Sequence, residues 1–371
     1  MHLTCNAWQM QPGAGGAAAG FSLEAIDLPA PQLSAGEALV EIAGCGICGT
    51  DLSYFYGGVP TVASPPLILG HEVSGRVVEV ATAADEALLG RHVVVPTVIP
   101  CRKCELCRSG RANRCLRQRM LCGNYGTRGG FASHVAVPAG ELTPIPEDCP
   151  LPLARMAVVA DAVSTPFQAV RRARLNAGDK VIVIGATGGL GVYVSQWAKL
   201  AGAAMVVGIA RDAARLDELK AHGLDAAIPV GDGDVDHIRH ELWNLCRAGG
   251  HNPRWSWTIF EASGTLAGQR LGLDLLTFAS KLILVGYAGG DITTALSKVM
   301  AYDAEIIGSW GCDPRLYADV IAHVSSGDVD IMPFTETRPM SRIRESFAEL
   351  KERRSGLRRI VLTNDWAAEP D

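Results

Sequence analysis

The sequence predicts an α/β protein of two parts, a mostly-β segment rich in cysteine and a doubly wound parallel sheet. Three observations predict it. Short apolar runs broken by Gly and Pro occupy 39–95, a strand, Gly-rich turn and apolar helix stand at 180–203, and strand-like and helical runs then alternate to about residue 308. With 371 residues, 48% of them hydrophobic and 20% charged, the chain can bury two cores.

The elements follow in order. The Gly/Ala run at 13–20 reads as a loose turn, and ALVEIAG, HEVSGRVVEV and GRHVVVP between 39 and 95 read as short strands. After the Pro-rich TPIPEDCPLP (143–152) a helix is expected over 154–173, followed by KVIVIGATGGLGVYVSQWAKLAGA as strand, turn and helix. AMVVGIA, AAIPV, WTIFEA, KLILVGYA and AEIIGSW read as further strands, with RDAARLDELKAHG as a helix between two of them. That alternation is the pattern of a parallel sheet with crossover helices. The chain returns through a helix near 314–326 to a last strand, RRIVL, and no internal repeat stands out.

A net charge of -5, without a block of Lys or Arg interleaved with aromatics, speaks against nucleic acid as a partner. The N-terminus lacks a basic region followed by an apolar one, and no stretch approaches eighteen uninterrupted apolar residues, so a soluble, cytoplasmic protein without a membrane partner is expected. In a reducing compartment its 11 cysteines point to metal or redox sites rather than to disulfides.

Four of those cysteines stand together in CRKCELCRSGRANRC: Cys101, Cys104, Cys107 and Cys115. Four thiolates can enclose one Zn²⁺ tetrahedrally, and the metal would fix a polar, Arg-rich loop that has little core of its own. An iron–sulfur cluster is the weaker reading, because the Cys-Pro pattern of the ferredoxin run is absent. Unligated thiols are the bland one. A closed site of this kind does no chemistry.

Upstream, GCGICGTD (44–51) and LGHEVSG (69–75) offer Cys48 and His71, with Glu72 adjacent and Asp51 able to accept the other ring N–H of His71. On the residues alone, a buried thiol and a core histidine are equally good readings. The four motifs GCGICGTD, GHEVSG, the cysteine lobe and GATGGLG, in this order and spacing, resemble the zinc-containing medium-chain alcohol dehydrogenases over nearly the whole chain.

The resemblance implies a GroES-like, mostly-β catalytic domain over 1–160 with a structural zinc lobe at about 96–122, a Rossmann domain over 161–308, and a return to the catalytic domain over 309–371. It implies one catalytic and one structural Zn²⁺, and a third protein ligand at Asp161 in VVADAVSTPFQAV, with water or Glu72 in the fourth place. Such a site leaves a position where an alcohol becomes a stronger acid. Thr50 matches the family's proton-accepting hydroxyl. Gly49 and Ser53 depart from the family pattern, in which a basic residue and a relay histidine are common. As bland readings, Asp161 is a helix N-cap and Thr50 a turn residue.

VIVIGATGGLG carries the form AxGxxG at Ala186, Gly188 and Gly191; with Gly189 and Leu190 it forms a turn whose backbone can approach a pyrophosphate. The resemblance adds Thr165 to the cofactor residues. Where an NAD enzyme usually presents a carboxylate to the ribose, this chain has Ala210, then Arg211 and Arg215. That favours NADP, with NAD as the alternative reading, in which Arg211 is a solvated helix-start residue and Asp212 turns to the ribose.

DLSYFYGGVPTVASPPLILGHE, the lobe and VVADAVSTPFQAV together resemble 6-hydroxycyclohex-1-ene-1-carbonyl-CoA dehydrogenase. This implies a cyclic secondary alcohol on a CoA thioester, with KERRSGLRR (351–359) and Arg171, Arg172 and Arg174 as phosphate-binding candidates and Tyr54, Phe55 and Tyr56 as pocket lining or core. The expected activity is zinc-dependent hydride transfer between a secondary alcohol or ketone and a nicotinamide. The alternatives are a reductase of activated C=C bonds and a non-catalytic binding protein on the same fold. A homodimer or homotetramer is implied by the resemblance.

Overall fold

The computed structural model describes residues 4–13, 16–117, 119–231, 235–352 and 356–366. It divides into two compact units, Met1–Ser164 with Gly311–Asp371, and Thr165–Trp310.

In the first unit the chain forms β1 (Thr4–Gly13), β2 (Gly16–Pro29), β3 (Glu37–Gly46), α1 (Gly49–Phe55), β4 (Leu67–Ile68), β5 (Glu72–Val80) and β6 (His92–Val95). The short α2 (Glu105–Arg108) lies in the cysteine lobe, followed by β7 (His134–Pro138) and β8 (Thr143–Pro144). β1 and β2 pair antiparallel from Thr4↔Pro29 to Gly13↔Gly16. The run at 13–20 is therefore mostly strand rather than the expected loose turn, because β1 supplies the ladder that its own residues do not signal; Ala14 and Gly15 lie outside the described residues. β3 is the hub of the larger sheet, pairing with β5, with β7 and with a strand from the chain's end. Its fully buried side chains pack with Leu69, Val73, Phe131 and Phe347.

The expected helix over 154–173 is interrupted. A 3₁₀ segment runs Leu153–Ala160, Asp161 leaves the helical region at φ -140 and ψ -59, and α3 starts afresh over Ser164–Ala173. The Ala160 carbonyl accepts from side chains, Thr97 Oγ1 at 2.9 Å and Ser164 Oγ at 3.2 Å among them. These side-chain donors, Thr97 from a distant segment and Ser164 from the next turn, replace the backbone repeat of a continuous helix.

The second unit alternates strand and helix: β9 (Lys180–Ile184), α4 (Gly191–Leu200), β10 (Met205–Ala210), α5 (Ala213–Glu218), β11 (Ala226–Pro229), α6 (Val235–Ala248), β12 (Trp257–Glu261), α7 (Leu266–Asp274), β13 (Lys281–Leu284), α8 (Leu296–Ala301) and β14 (Glu305–Gly308). The six strands are parallel in the order β11-β10-β9-β12-β13-β14. Counted from β9 this is 3-2-1-4-5-6, the doubly wound Rossmann order. β9, β10 and β12 are buried along their whole length, as strands covered on both faces must be. The chain then re-enters the first unit through α9 (Tyr317–Ser326), β15 (Thr335–Pro339), α10 (Ile343–Lys351) and β16 (Arg359–Thr363), and β16 pairs with β3.

Candidate metal centres and nucleotide turn

Cys48 stands between the end of β3 and the first turn of α1, His71 and Glu72 at the start of β5, and Asp161 in the break before α3. Ligand atoms of all four lie within 4.8 Å of one another. Cys48 Sγ is 3.7 Å from Asp161 Oδ2, and His71 Nε2 is 3.6 Å from the same oxygen. Bonds of about 2.0–2.3 Å to a tetrahedral zinc put its ligand atoms roughly 3.3–3.8 Å apart, so these spacings suit one ion.

The electrostatics fit a cation as well. His71 and Glu72 are both fully buried. Burial works against a charged His71, yet Asp51, Cys122 and Asp161 outweigh it and hold its pKa well above the usual histidine value. Burial pushes the Glu72 carboxyl up to about 7 against the pull of Arg359. Both Glu72 oxygens are buried and lack a well-directed hydrogen-bond donor among the described residues, although Arg359 Nη1 stands 2.9 Å from Oε1 as an ion pair. A Cβ on Gly46 would lie 2.1 Å from Glu72 Oε2, so the glycine leaves the space in which this carboxylate sits. Buried, anion-rich and short of donors, this group suits a cation.

Asp51 accepts the backbone N–H of Cys48 through Oδ2 and that of Gly70 through Oδ1, each at 2.9 Å, and faces His71 Nδ1 at 3.5 Å. Cys122 Sγ is also 3.4 Å from that nitrogen, held there by a left-handed backbone at φ 66. Sequence reasoning missed Cys122, and it placed Arg359 in the run considered for CoA phosphates rather than beside Glu72. Neither belongs to a spacing motif, and a Cys-Gly pair after the lobe was the one signal available for Cys122. Thr50 Oγ1 lies 3.8 Å from Cys48 Sγ. Ser53 Oγ donates to the Gly49 carbonyl at 2.9 Å, one helical turn back. Tyr54 is core, its hydroxyl accepting from Asn124; Phe55 stacks edge-on against Phe347, and Tyr56 lies under the Lys351 ammonium.

Cys101, Cys104, Cys107 and Cys115 form a second group. Cys104 Sγ is 3.4 Å from Cys107 Sγ and 3.8 Å from Cys115 Sγ. The Cys115 sulfur receives the backbone N–H groups of Cys101 and Arg117 at 3.2 and 3.3 Å. N–H groups of Cys107 and Leu116 bring the Cys104 thiol down to about 6, while burial and the neighbouring sulfurs push Cys107 up to about 12. Without a cation four adjacent thiols cannot all ionise; a zinc ion would hold all four as thiolates. The lobe is tied down by Arg102 on Glu141 and by Arg315 on the Gly110 carbonyl.

In the second unit the Gly-rich turn joins β9 to α4. Gly185, one residue before the AxGxxG run, takes the left-handed conformation at φ 79. A Cβ on Gly191 would lie 2.2 Å from the Gly185 carbonyl oxygen, whereas one on Gly188 would lie at 3.1 Å. Ala186 is accommodated because Gly208 on β10 has no side chain: a Cβ there would come within 3.0 Å of the Ala186 methyl. Gly189 and Leu190 lead into the first turn of α4, where Val192 N–H donates to the Gly188 carbonyl at 3.2 Å and the positive end of the helix suits phosphate. Thr165 is buried in the first turn of α3. Arg211 is exposed just after β10; Asp212 caps α5 by accepting from Arg215 N at 3.1 Å, and pairs with Arg215 Nε at 3.1 Å.

Two family models match: an alcohol dehydrogenase GroES-like domain over residues 34–147 and a zinc-binding dehydrogenase over 189–326. The chain belongs to the zinc-containing medium-chain alcohol dehydrogenase family. It is 27% identical to a sorbitol dehydrogenase of Bombyx mori, over 86% of this chain and 89% of that one. It is likewise 27% identical to a D-arabitol-phosphate dehydrogenase of Enterococcus avium, over 84% of this chain and 87% of the relative. The crystal structure of galactitol-1-phosphate dehydrogenase from Escherichia coli shares the fold, with a TM-score of 0.82 and 21% identity over 96% of this chain and 99% of that one. The chain is thus a zinc-dependent alcohol oxidoreductase. No helix among the described residues is long and apolar enough to cross a membrane.

Proposed function

We propose that the chain oxidises a secondary alcohol with NADP, NAD being the alternative, through a catalytic zinc at Cys48, His71 and Asp161, with Glu72 or water in the fourth place. The convergence of those four residues within 4.8 Å carries the reading. A zinc ion bound there would make an alcohol hydroxyl a stronger acid.

The chain's own residues do the rest. Cys48 and Asp161 supply two negative charges to offset the ion, and His71 reaches it through Nε2 while Asp51 and Cys122 face Nδ1. Thr50, beside the Cys48 sulfur, takes the hydroxyl proton. Ser53 is turned to the Gly49 carbonyl, so we assign the onward path of the proton to solvent. The four-cysteine group takes a second, structural zinc.

A sugar alcohol is the favoured substrate, since the two curated relatives are named as polyol dehydrogenases. A CoA thioester is disfavoured because the arginines considered for its phosphates are engaged: Arg174 with Glu305, Arg172 Nε with the Gly308 carbonyl, Arg171 over the Phe167 ring and Arg359 with Glu72. Arg353 and Arg354 lie outside the described residues. The zinc set also argues against a C=C reductase or a non-catalytic protein, neither of which needs an open metal position.

Metal analysis and a substrate panel test the reading. Two zincs per chain are expected, with Cys48→Ala holding one, keeping nucleotide binding and losing turnover by about three or more orders of magnitude. Turnover of Cys48→Ala at the wild-type rate would overturn the mechanism. Faster turnover of a CoA-linked cyclic alcohol than of any polyol would overturn the substrate class.

A further inference from the structure

The imidazole and the carboxylate of the metal group come from distant segments, yet one buried threonine touches the backbone of both. Thr97 follows β6 and is 4% exposed. Its Oγ1 is 3.2 Å from the carbonyl oxygen of His71 and 2.9 Å from that of Ala160, the residue before Asp161.

The Ala160 oxygen also accepts from the Tyr317 hydroxyl at 2.5 Å and from Ser164 Oγ at 3.2 Å. A carbonyl oxygen offers two lone pairs, so the Tyr317 phenol, the shortest contact, takes one while Thr97 and Ser164 share the other. The single proton of Thr97 is thereby shared between the Ala160 and His71 carbonyls. Having donated to Ala160, the Tyr317 oxygen accepts the Thr97 backbone N–H at 3.3 Å. Tyr317 and Ser164 are fully buried, so water does not compete for these groups.

We propose that Thr97 is a positioning residue of the metal site, its hydroxyl and the Tyr317 phenol holding the His71 and Ala160 carbonyls so that imidazole and carboxylate meet one ion. The inference rests on the proposed catalytic zinc. Tyr317 matters because it belongs to α9, on the returning segment: that segment closes the bond network between the two ligand-bearing loops. Without the phenol the Thr97 proton is drawn to its shorter contact at Ala160, and the His71 carbonyl is left without it.

Zinc affinity and ligand geometry test this directly. Wild type, Thr97→Val, Thr97→Ser and Tyr317→Phe are equilibrated with a chelator series and zinc is counted; the cobalt(II)-loaded proteins give the thiolate absorption band. Thr97→Val is expected to bind its catalytic zinc about 10- to 100-fold more weakly with a shifted cobalt band, while the structural zinc stays. Thr97→Ser restores affinity to within about threefold, and Tyr317→Phe falls between. Wild-type affinity and band in Thr97→Val overturn the proposal, as does failure of serine to rescue. If Thr97→Val does not fold, wild-type zinc affinity in Tyr317→Phe overturns it. A wild-type chain with one zinc removes the proposed function as well, whereas two zincs with an indifferent Thr97→Val remove this inference alone.

Discussion

Asp51 stands 3.5 Å from Nδ1 of His71, while its two oxygens accept the backbone N–H groups of Cys48 and Gly70 at 2.9 Å each. One buried carboxylate therefore joins the loop that presents the thiolate to the loop that presents the imidazole. Asp51→Asn keeps the shape but can accept through one oxygen, and turns its amide N–H₂ toward a backbone donor. A buried donor left unsatisfied costs about 1–3 kcal/mol. We expect a lower melting temperature and catalytic zinc held about 10- to 100-fold more weakly. Unchanged melting and two tightly held zincs would show that the carboxylate does not organise the loops.

The cysteine lobe predicts a separable loss. Cys104 lies within 3.8 Å of two other thiols of the group, in a loop whose side chains are largely outside the core. Cys104→Ser should remove one zinc per chain, the structural one. The lobe should then become the first site of proteolysis, since metal rather than apolar packing holds it. Nucleotide binding should persist. Equal protease resistance of the two proteins would count against a structural zinc.

The nucleotide turn makes two glycines unequal. In Gly191→Ala the new methyl would sit 2.2 Å from the Gly185 oxygen, against 3.1 Å in Gly188→Ala. Neighbouring backbone must shift in the first case, a kind of overpacking that typically costs about 1–3 kcal/mol. Dinucleotide fluorescence titration should find at least about tenfold weaker binding in Gly191→Ala than in Gly188→Ala. The reverse order would contradict the turn's geometry.

Glu37 gives a pH-dependent contribution. Burial would raise its pKa, but the Arg128 guanidinium, the Ser34 N–H and the Tyr125 hydroxyl outweigh it and hold it below the usual carboxylate value. A carboxyl whose pKa is depressed on folding stabilises the protein above its unfolded pKa, about 4.3, and loses that contribution as pH falls through the folded value. The stability gap between wild type and Glu37→Gln should be full at pH 7 and shrink below about pH 4. Paired denaturation across that range checks it, and a gap that widens in acid would reverse the sign.

How far the sequence reveals the site depends on chain distance. The four-thiol lobe is legible because its ligands lie within fifteen residues, and the strand–turn–helix at 180–203 because its apolar period is local. Asp161 is legible through family resemblance, since the bonds that break the helix there come from Thr97 and Tyr317, 63 and 157 residues from Ala160. Cys122 meets His71 across 51 residues through a left-handed backbone that no periodicity announces. Arg359 waits until β16 pairs with β3.

Cofactor preference turns on Arg211 and Arg215, which the structure makes unequal. Arg215 is paired with Asp212, and Asp212 is itself held as the cap of α5, so neither is free to meet a ribose without breaking that pair. Arg211 is exposed at the end of β10, the adjacent Asp212 carboxylate is turned to Arg215 on α5, and no hydrogen bond or ion pair engages the Arg211 guanidinium among the described residues. A guanidinium there can take a phosphate through two N–H groups, while the same group adds little to binding of a plain ribose. Arg211→Ser should therefore lower kcat/KM for NADP by about tenfold or more and leave that for NAD nearly unchanged. Arg215→Ser should do less to NADP and more to the melting temperature. Equal loss for both cofactors in Arg211→Ser would mean that Arg211 does not read the 2′-phosphate, and a wild-type preference for NAD would leave it a solvated residue at the start of α5.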